Sequence, residues 1–127
     1  MNKKVLVTGA SGHLGGMLFN SLAKIGYKNL IGTDLKRKNI KKNQKFILAN
    51  LKNFNTTVKI TKNIHSIVHF GAIPIEDTRQ NILYNNIIGT YNIFEAARIN
   101  KVKRIIFASS NHAIGFHRRT TRLNEMS

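Results

Sequence analysis

Residues 5–15 read Val5-Leu6-Val7-Thr8-Gly9-Ala10-Ser11-Gly12-His13-Leu14-Gly15. The stretch predicts an apolar strand that runs into a glycine-punctuated turn and then into a helix. Glycine allows a tight turn and a close approach between the backbone and a ligand, because a Cβ would collide there. The predicted helix would direct its free N–H groups and its positive dipole end at the turn, which suits a pyrophosphate.

The residues that follow strengthen this interpretation. A second apolar segment, residues 30–33, predicts a strand that stops at Asp34. An acid about 20 residues beyond the glycines, at the tip of the second strand, binds ribose hydroxyls in dinucleotide-binding folds. Glycines at this spacing are often just a turn and a helix start, whereas the whole set predicts a dinucleotide site. One helix face is predicted from Leu14, Leu18, Leu22 and Ile25, and Gly26 predicts the helix end.

Asp34 also indicates which dinucleotide is bound. A carboxylate accepts hydrogen bonds from the ribose and repels a 2′-phosphate, which favours NAD over NADP. Lys36, Arg37 and Lys38 follow immediately and could soften that repulsion. We favour a solvated charge run for these three residues, the commoner outcome for such a segment.

Strand and helix patterns alternate along the rest of the chain. Further strands are predicted at 46–49, 67–70 and 104–108, with a weak helix at 53–62 and a long helix at about 78–100. This alternation predicts an α/β fold, a Rossmann-type doubly wound parallel sheet covered on both faces and truncated after about five strands. Residues 1–127 are expected to be a single NAD-binding domain. The buried side of the long helix is predicted to carry Ile82, Leu83, Ile87, Tyr91 and Phe94.

Composition narrows the class of protein. The 127 residues suffice for one domain with a core, and 42% of them are hydrophobic. Cysteine is absent, which excludes disulfides and thiolate chemistry. No apolar run has membrane-spanning length, and the segment before the glycines is too short for a secretory signal. These features predict a cytoplasmic protein with no membrane partner.

The strong positive charge raises the question of nucleic acids. Twenty-one basic and 5 acidic residues give a net charge of +16. Nonspecific attraction to polyanions at low salt is expected from this charge. Specific nucleic-acid binding is not predicted, because the lysines are scattered outside 36–45 and no helix interleaves aromatic residues with arginines.

Three segments resemble a known family, the extended short-chain dehydrogenases/reductases of the NAD-dependent epimerase/dehydratase group. They are residues 8–15, Asn86-Ile87-Ile88-Gly89-Thr90 and Ala108-Ser109-Ser110-Asn111-His112. Within the group, residues 86–98 and 107–115 are most similar to uronate dehydrogenases. The resemblance implies a small-molecule substrate, a hexuronic acid such as glucuronate or galacturonate, oxidised at C1 to an aldarolactone while NAD is reduced.

The resemblance also implies the cofactor contacts. Glycines would hold the pyrophosphate, Asp34 the adenosine ribose, and Asn86 would tie the long helix to the neighbouring strand and support the active site. Asn50 stands where the family usually has an aspartate beside the adenine; its amide can still accept a hydrogen bond but brings no charge. The implied cofactor-binding set is Gly9, Ser11, Gly12, His13, Leu14, Gly15, Asp34, Asn50, Leu51, Gly71, Ala72 and Asn86.

By the same resemblance, Ser110 matches the catalytic Ser/Thr that hydrogen-bonds the reacting hydroxyl, and Asn111 and His112 would contact the uronate. Pro74 departs from the uronate dehydrogenases, which place a small hydroxyl residue there. Simpler roles stay open: a turn after the fifth strand, a surface histidine, or a helix-capping Asn86. No metal site is predicted, because no cysteine or carboxylate accompanies the histidine pairs His65/His69 and His112/His117.

One catalytic element of the family is not found in this sequence. The chemistry needs a tyrosine base with a lysine four residues later, whose charge lowers the tyrosine pKa. The residues four positions after Tyr27, Tyr84 and Tyr91 are isoleucine, isoleucine and glutamate. We therefore expect the NAD-binding part of a longer dehydrogenase, or a truncated product, that is inactive alone. Its fifth strand would be an open sheet edge that favours association with another copy.

Two other functions remain open at this stage. The chain could be the cofactor-binding part of a nucleotide-sugar epimerase or dehydratase, although those enzymes usually carry tyrosine where Ile114 stands. It could also be a non-catalytic protein that binds NAD or a polyanion. A salt-dependent shift of DNA in a gel, without NAD affinity, would favour polyanion binding. Fold similarity alone does not establish the chemistry.

Overall fold

The fold was examined in a computed structural model, which describes residues 3–110, 115, 117–118 and 120–124. Five parallel strands form one sheet in the order β3-β2-β1-β4-β5. The predicted α/β architecture of Rossmann type is confirmed. The strands are β1 (Val5–Thr8), β2 (Leu30–Asp34), β3 (Phe46–Leu48), β4 (Ser66–His69) and β5 (Arg104–Phe107).

Helices connect the strands at the predicted places. They are α1 (His13–Lys24), α2 (Phe54–Ile60), α3 (Arg79–Ile82) and α4 (Gly89–Ile99), with a π-helical turn at Leu83–Ile88 between the last two. The α1 helix ends before Gly26, whose φ of 84° suits glycine at a helix end. The side chain of Asn53 caps α2 by accepting the Thr56 N–H at 3.0 Å. None of the helices in the described ranges is both long enough and apolar enough to cross a membrane.

Two apolar clusters lie on opposite faces of the sheet. Strand alternation sends Leu6 to one face and Val7 to the other, and both are fully buried. The α1 helix packs over Val7 through Phe19, which is 1% exposed. On the Leu6 face, α4 contributes Ile93 and α2 contributes Ile60. The carboxyl ends of the central strands are thereby held between rigid layers.

The predicted buried face of the long helix is wrong. Tyr91 and Ile87 are 66% and 60% exposed, Leu83 and Phe94 are also exposed, and Ile82 is only half-buried. Several of the residues that α4 buries are small, which lets the helix approach α2 closely. The buried residues are Gly89, Asn92, Ile93, Ala96 and Ala97. The π-helical turn also shifts the helical register, so residues before and after it do not share one stripe.

The predicted face of α1 is wrong at its two ends. Leu14 is 60% exposed and Ile25 is 77% exposed. The helix instead buries Gly15 and Phe19, while Leu18 and Leu22 are partly buried against the same cluster. Apolar spacing therefore identified the helix but only half of its packed surface.

The β5 strand is one of the two edges of the sheet, and β3 is the other. It pairs with β4, and no described residue pairs with its other edge. Helices lie on both faces of the sheet, α1 packs mainly over β1 and β2, and Ile106 of β5 is 55% exposed. The predicted sheet with helices on both faces is therefore confirmed, and within the described residues β5 is its more exposed edge at Ile106.

Candidate cofactor site

The site lies where the chain changes direction across the sheet. The central β1 strand pairs with β2 on one side and with β4 on the other, so the loops that follow them diverge. Ligands of open α/β sheets bind in the crevice outside the carboxyl ends of strands at such a point. Two cavities open there, of about 110 Å³ and about 870 Å³, and Gly9 and Gly71 line both.

The glycine turn contributes to both cavities, because Gly9 lines each of them. Gly9 has a φ of 68°, and a Cβ on it would lie 2.7 Å from the Phe70 carbonyl carbon. A Cβ on Gly15 would overlap the Gly9 carbonyl group. Gly12 begins α1 without any capping side chain, so the N–H groups of residues 13–15 are left for an anion.

Asp34 stands beside this turn at the end of β2. Its Oδ2 accepts the Ser11 N–H at 3.0 Å, and its Oδ1 accepts the Leu35 N–H at 2.7 Å. Ser11 in turn donates its hydroxyl to the Lys36 carbonyl oxygen at 2.7 Å. The carboxylate lines the smaller cavity, so glycines and acid, separated in sequence, are brought together as the spacing predicted.

Arg37 is bound to its own loop. Its guanidinium donates to the Lys41 carbonyl oxygen at 2.7 Å and lies 5.6 Å from the centre of the Phe46 ring. These contacts hold the charge within the 36–46 segment. They favour the interpretation of this basic run as a surface feature over a role in binding a 2′-phosphate.

A second loop closes the smaller cavity. Asn50 and Leu51 line it, and Asn50 Oδ1 accepts the Lys52 N–H at 3.1 Å. The buried Asn92 of α4 fixes this loop by donating Nδ2 to the Leu51 carbonyl oxygen at 2.8 Å and to that of Lys52 at 3.1 Å. Sequence reasoning missed Asn92; an amide among small residues on a buried helix face was the available signal.

Asn86 clamps the loop that follows β4. Its Nδ2 donates to the Ile73 carbonyl oxygen at 2.9 Å, and its Oδ1 accepts the Ile73 N–H at 2.8 Å. The side chain thus pairs with the backbone as another peptide group would. This pair ties the residues before α4 to the loop after β4, whereas the prediction was a tie to the neighbouring strand itself. Gly71 and Ala72 lie in the same loop and line both cavities.

Ser110 lies at the larger cavity, which also contains His13, Leu14, Gly15 and Pro74. This position brings the expected catalytic hydroxyl to the same opening as the α1 N-terminus. Asn111 and His112, the expected substrate contacts, lie outside the described residues. Of the three residues expected to meet the substrate, the structure therefore describes Ser110.

A row of neighbouring side chains crosses the central strands at the larger cavity. Thr8, His69 and Phe107 are register neighbours on β1, β4 and β5. His69 Nδ1 lies 2.6 Å from Thr8 Oγ1, and its Nε2 lies 3.1 Å from Thr90 Oγ1. Burial lowers the pKa of His69 to about 4. A histidine inside an apolar strand pattern was the available signal for this row, whereas His69 was considered above only as a metal ligand.

We expect this burial to make stability depend on pH. Unfolded His69 takes up a proton below about pH 6.5, whereas the folded imidazole stays neutral down to about pH 4. The free energy of unfolding should therefore fall by up to about 3 kcal/mol as the pH drops through this window, and the contribution should level off below it. Urea unfolding of the wild type and of His69→Gln at several pH values measures the difference. An equal pH dependence in both proteins would contradict the prediction.

A parallel sheet with a glycine turn, an uncapped helix start and an acid at the second strand defines a dinucleotide-binding α/β domain. The geometry fits the group, because Gly9 and Gly15 leave no room for a Cβ between turn and helix, and the helix N–H groups face the crevice. The chain belongs to the NAD dependent epimerase/dehydratase family, which matches residues 5–127. NAD, the cofactor predicted from Asp34, is the cofactor of this family.

Uronate dehydrogenases are among its similar proteins. The enzyme of Agrobacterium fabrum is 37% identical over 121 residues, which cover 95% of this chain and 46% of the enzyme. The enzyme of Pseudomonas putida is 36% identical, with the same two coverages. A mutant uronate dehydrogenase of Agrobacterium tumefaciens complexed with NAD matches with a TM-score of 0.84 and 39% identity, covering 95% of this chain and 46% of that one. The chain therefore spans about half the length of these relatives.

Proposed function

We propose that residues 1–127 bind NAD as one unit and form the cofactor-binding part of an oxidoreductase that oxidises a hexuronic acid at C1. The observation that carries the NAD assignment is the Asp34 carboxylate, held beside the glycine turn by the Ser11 N–H. Similarity to the uronate dehydrogenases over 95% of the chain supports the sugar acid.

In this proposal each group has a distinct task. The free N–H groups at the start of α1 bind the pyrophosphate, and Asp34 accepts hydrogen bonds from the adenosine ribose. Asn50 and Leu51 bind the adenine in the smaller cavity, while Gly71 and Ala72 lie along the cofactor. Bound NAD supplies the hydride acceptor. The Ser110 hydroxyl hydrogen-bonds the sugar hydroxyl that reacts.

The remaining task, removal of the hydroxyl proton, has no candidate among the tyrosines of this sequence, because none is followed by lysine four residues later. We therefore expect these 127 residues to bind NAD without oxidising glucuronate or galacturonate. Titration calorimetry with NAD and NADP, together with NADH fluorescence after addition of each uronate, measures both parts.

The expected result is a measurable affinity for NAD, an affinity for NADP at least about tenfold lower, and no uronate-dependent NADH. Tenfold corresponds to about 1.4 kcal/mol, a modest cost for placing a phosphate beside a carboxylate. Circular dichroism of the same sample verifies that the chain is folded. A folded chain that binds neither dinucleotide would contradict the cofactor proposal, and NADH formation would contradict the proposal of inactivity.

We further propose that the chain forms homo-oligomers through its β5 edge. The outer edge of β5, which pairs with no described residue, offers backbone groups to a second copy. The exposed Ile106, Ile87 and Tyr91 offer apolar surface. Sedimentation velocity at increasing concentration should show association, and Ile106→Lys should weaken it. A monomer at all concentrations would refute this proposal.

A further inference from the structure

A series of hydrogen bonds joins the loop after β4 to α4. The Gly71 N–H donates to Thr8 Oγ1 at 3.0 Å, and Thr8 Oγ1 lies 2.6 Å from His69 Nδ1. On its other side, His69 Nε2 lies 3.1 Å from Thr90 Oγ1. Gly71, His69 and Thr90 all line the larger cavity.

The positions of the hydrogens in this series of hydrogen bonds can be deduced. Thr8 Oγ1 has two hydrogen-bond partners among the described residues, the Gly71 N–H and His69 Nδ1. The Gly71 N–H can only donate, so the Thr8 hydroxyl hydrogen has to find its acceptor elsewhere. Its cross-strand neighbour Thr33 has a buried hydroxyl oxygen with no hydrogen-bond partner among the described residues. His69 Nδ1 is therefore the acceptor, which requires a neutral imidazole with its hydrogen on Nε2. That Nε2–H then donates to Thr90 Oγ1.

The imidazole ring is well fixed in this orientation. His69 is 1% exposed, and its ring stacks on Phe107 with the ring centres 5.7 Å apart. Phe107 is in turn packed edge-on against Phe94 of α4 at 5.8 Å. Aromatic contacts of this kind, together with hydrogen bonds at both nitrogens, hold the ring in one position.

Thr90 is left with an uncommitted hydrogen. Threonines in helices commonly donate to the carbonyl four residues earlier. Thr57 of α2 and Thr61, directly after α2, do so at 2.9 Å each. Within the described part of the chain Thr90 makes no such bond. Because its oxygen accepts from His69, its own hydrogen is free to point into the larger cavity.

We propose that the Thr90 hydroxyl is a ligand-binding donor in the larger cavity and that His69 is the positioning residue that orients it. The group it binds is an acceptor oxygen, contributed either by the nicotinamide end of NAD or by the sugar acid. The proposal rests on the proposed function, since it takes the larger cavity as the place where these two ligands meet. Thr8 links His69 to the Gly71 N–H, so the same hydrogen bonds also position the backbone at Gly71, which is proposed to lie along the cofactor.

Binding measurements on Thr90 variants of the full chain test the donor. Thr90→Val removes the hydroxyl with little change of shape, and we expect about a fivefold loss of affinity, the value of one neutral hydrogen bond. If the oxygen belongs to the nicotinamide end, NAD binding weakens and ADP binding does not. If it belongs to the sugar, glucuronate binding to the NAD-loaded chain weakens instead. Thr90→Ser should restore affinity, and Thr56→Val, on α2 away from both cavities, should change none of these values.

A spectroscopic measurement tests the orientation without any ligand. A long-range ¹H–¹⁵N correlation spectrum of the wild type should show His69 neutral, with its hydrogen on Nε2. A hydrogen on Nδ1 would overturn the proposal, as would Thr90→Val with unchanged affinity for NAD and glucuronate. A wild type that shows the expected tautomer but binds neither NAD nor ADP would contradict the proposed function and the ligand-binding role of Thr90, leaving only the positioning by His69.

Discussion

Replacing Gly15 by alanine is expected to abolish NAD binding and to destabilise the fold by about 3 kcal/mol or more, the upper range for inserting atoms into packed structure. The new Cβ would overlap the carbonyl group of Gly9. Backbone cannot yield as the end of a long side chain can, so either the turn or the start of α1 must move. Both form the proposed pyrophosphate site, and their separation sets where the free N–H groups point.

Calorimetry with NAD and urea unfolding measure the two effects of Gly15→Ala. The matched control is Gly26→Ala at the other end of α1, where φ is 84° and no atom lies within 4 Å of the added Cβ. Its cost should be about 1 kcal/mol from backbone strain alone, without loss of NAD affinity. Near-wild-type NAD affinity for Gly15→Ala would show that the turn does not approach the cofactor as proposed.

Asp34→Asn is expected to weaken NAD binding about thirtyfold. Hydrogen bonds to a charged group contribute about 1.5–3 kcal/mol, and the amide removes the charge that the ribose hydroxyls meet. The same change removes repulsion of a 2′-phosphate, so the preference for NAD over NADP should shrink as well. The amide oxygen can still accept the Ser11 N–H, so the turn is expected to keep its shape.

Parallel titrations with NAD and NADP measure both expectations for Asp34→Asn. Asp77→Asn is the control, because Asp77 is an exposed aspartate that also accepts a backbone N–H, from Thr78 at 2.6 Å, yet lines neither cavity. It should leave both affinities unchanged. An Asp34→Asn protein within threefold of wild type for NAD would place the ribose elsewhere.

Local motifs account for what the sequence could predict. The turn from Gly9 to Gly15 and the acid at Asp34 follow from residues within one strand–turn–helix–strand unit, and the five strands follow from short apolar runs. Each of these depends on neighbours close in sequence. These local patterns were enough to predict the α/β fold and the proximity of the glycine turn to Asp34.

Packing partners distant in sequence account for what it could not predict. The buried side of α4 depends on small residues that fit against α2 and the sheet, so the larger Ile87 and Tyr91 were assigned to the wrong side. The bonds from Thr8 through His69 to Thr90 join three elements whose register no local pattern reveals. Asn92 supports the loop at Leu51 across 41 residues of sequence.

The π-helical turn at Leu83–Ile88 lets one continuous helix point its two ends at different partners. Its wider ring, closed by the Gly89 N–H on the Tyr84 carbonyl oxygen, offsets the upstream part by one residue, or about 100° of rotation in a regular helix. Asn86 can therefore face Ile73 while Ile93 faces the core. Deleting one residue of the turn would rotate Asn86 away from Ile73 and leave Ile93 in the core. The loop after β4 and the core can therefore be altered independently.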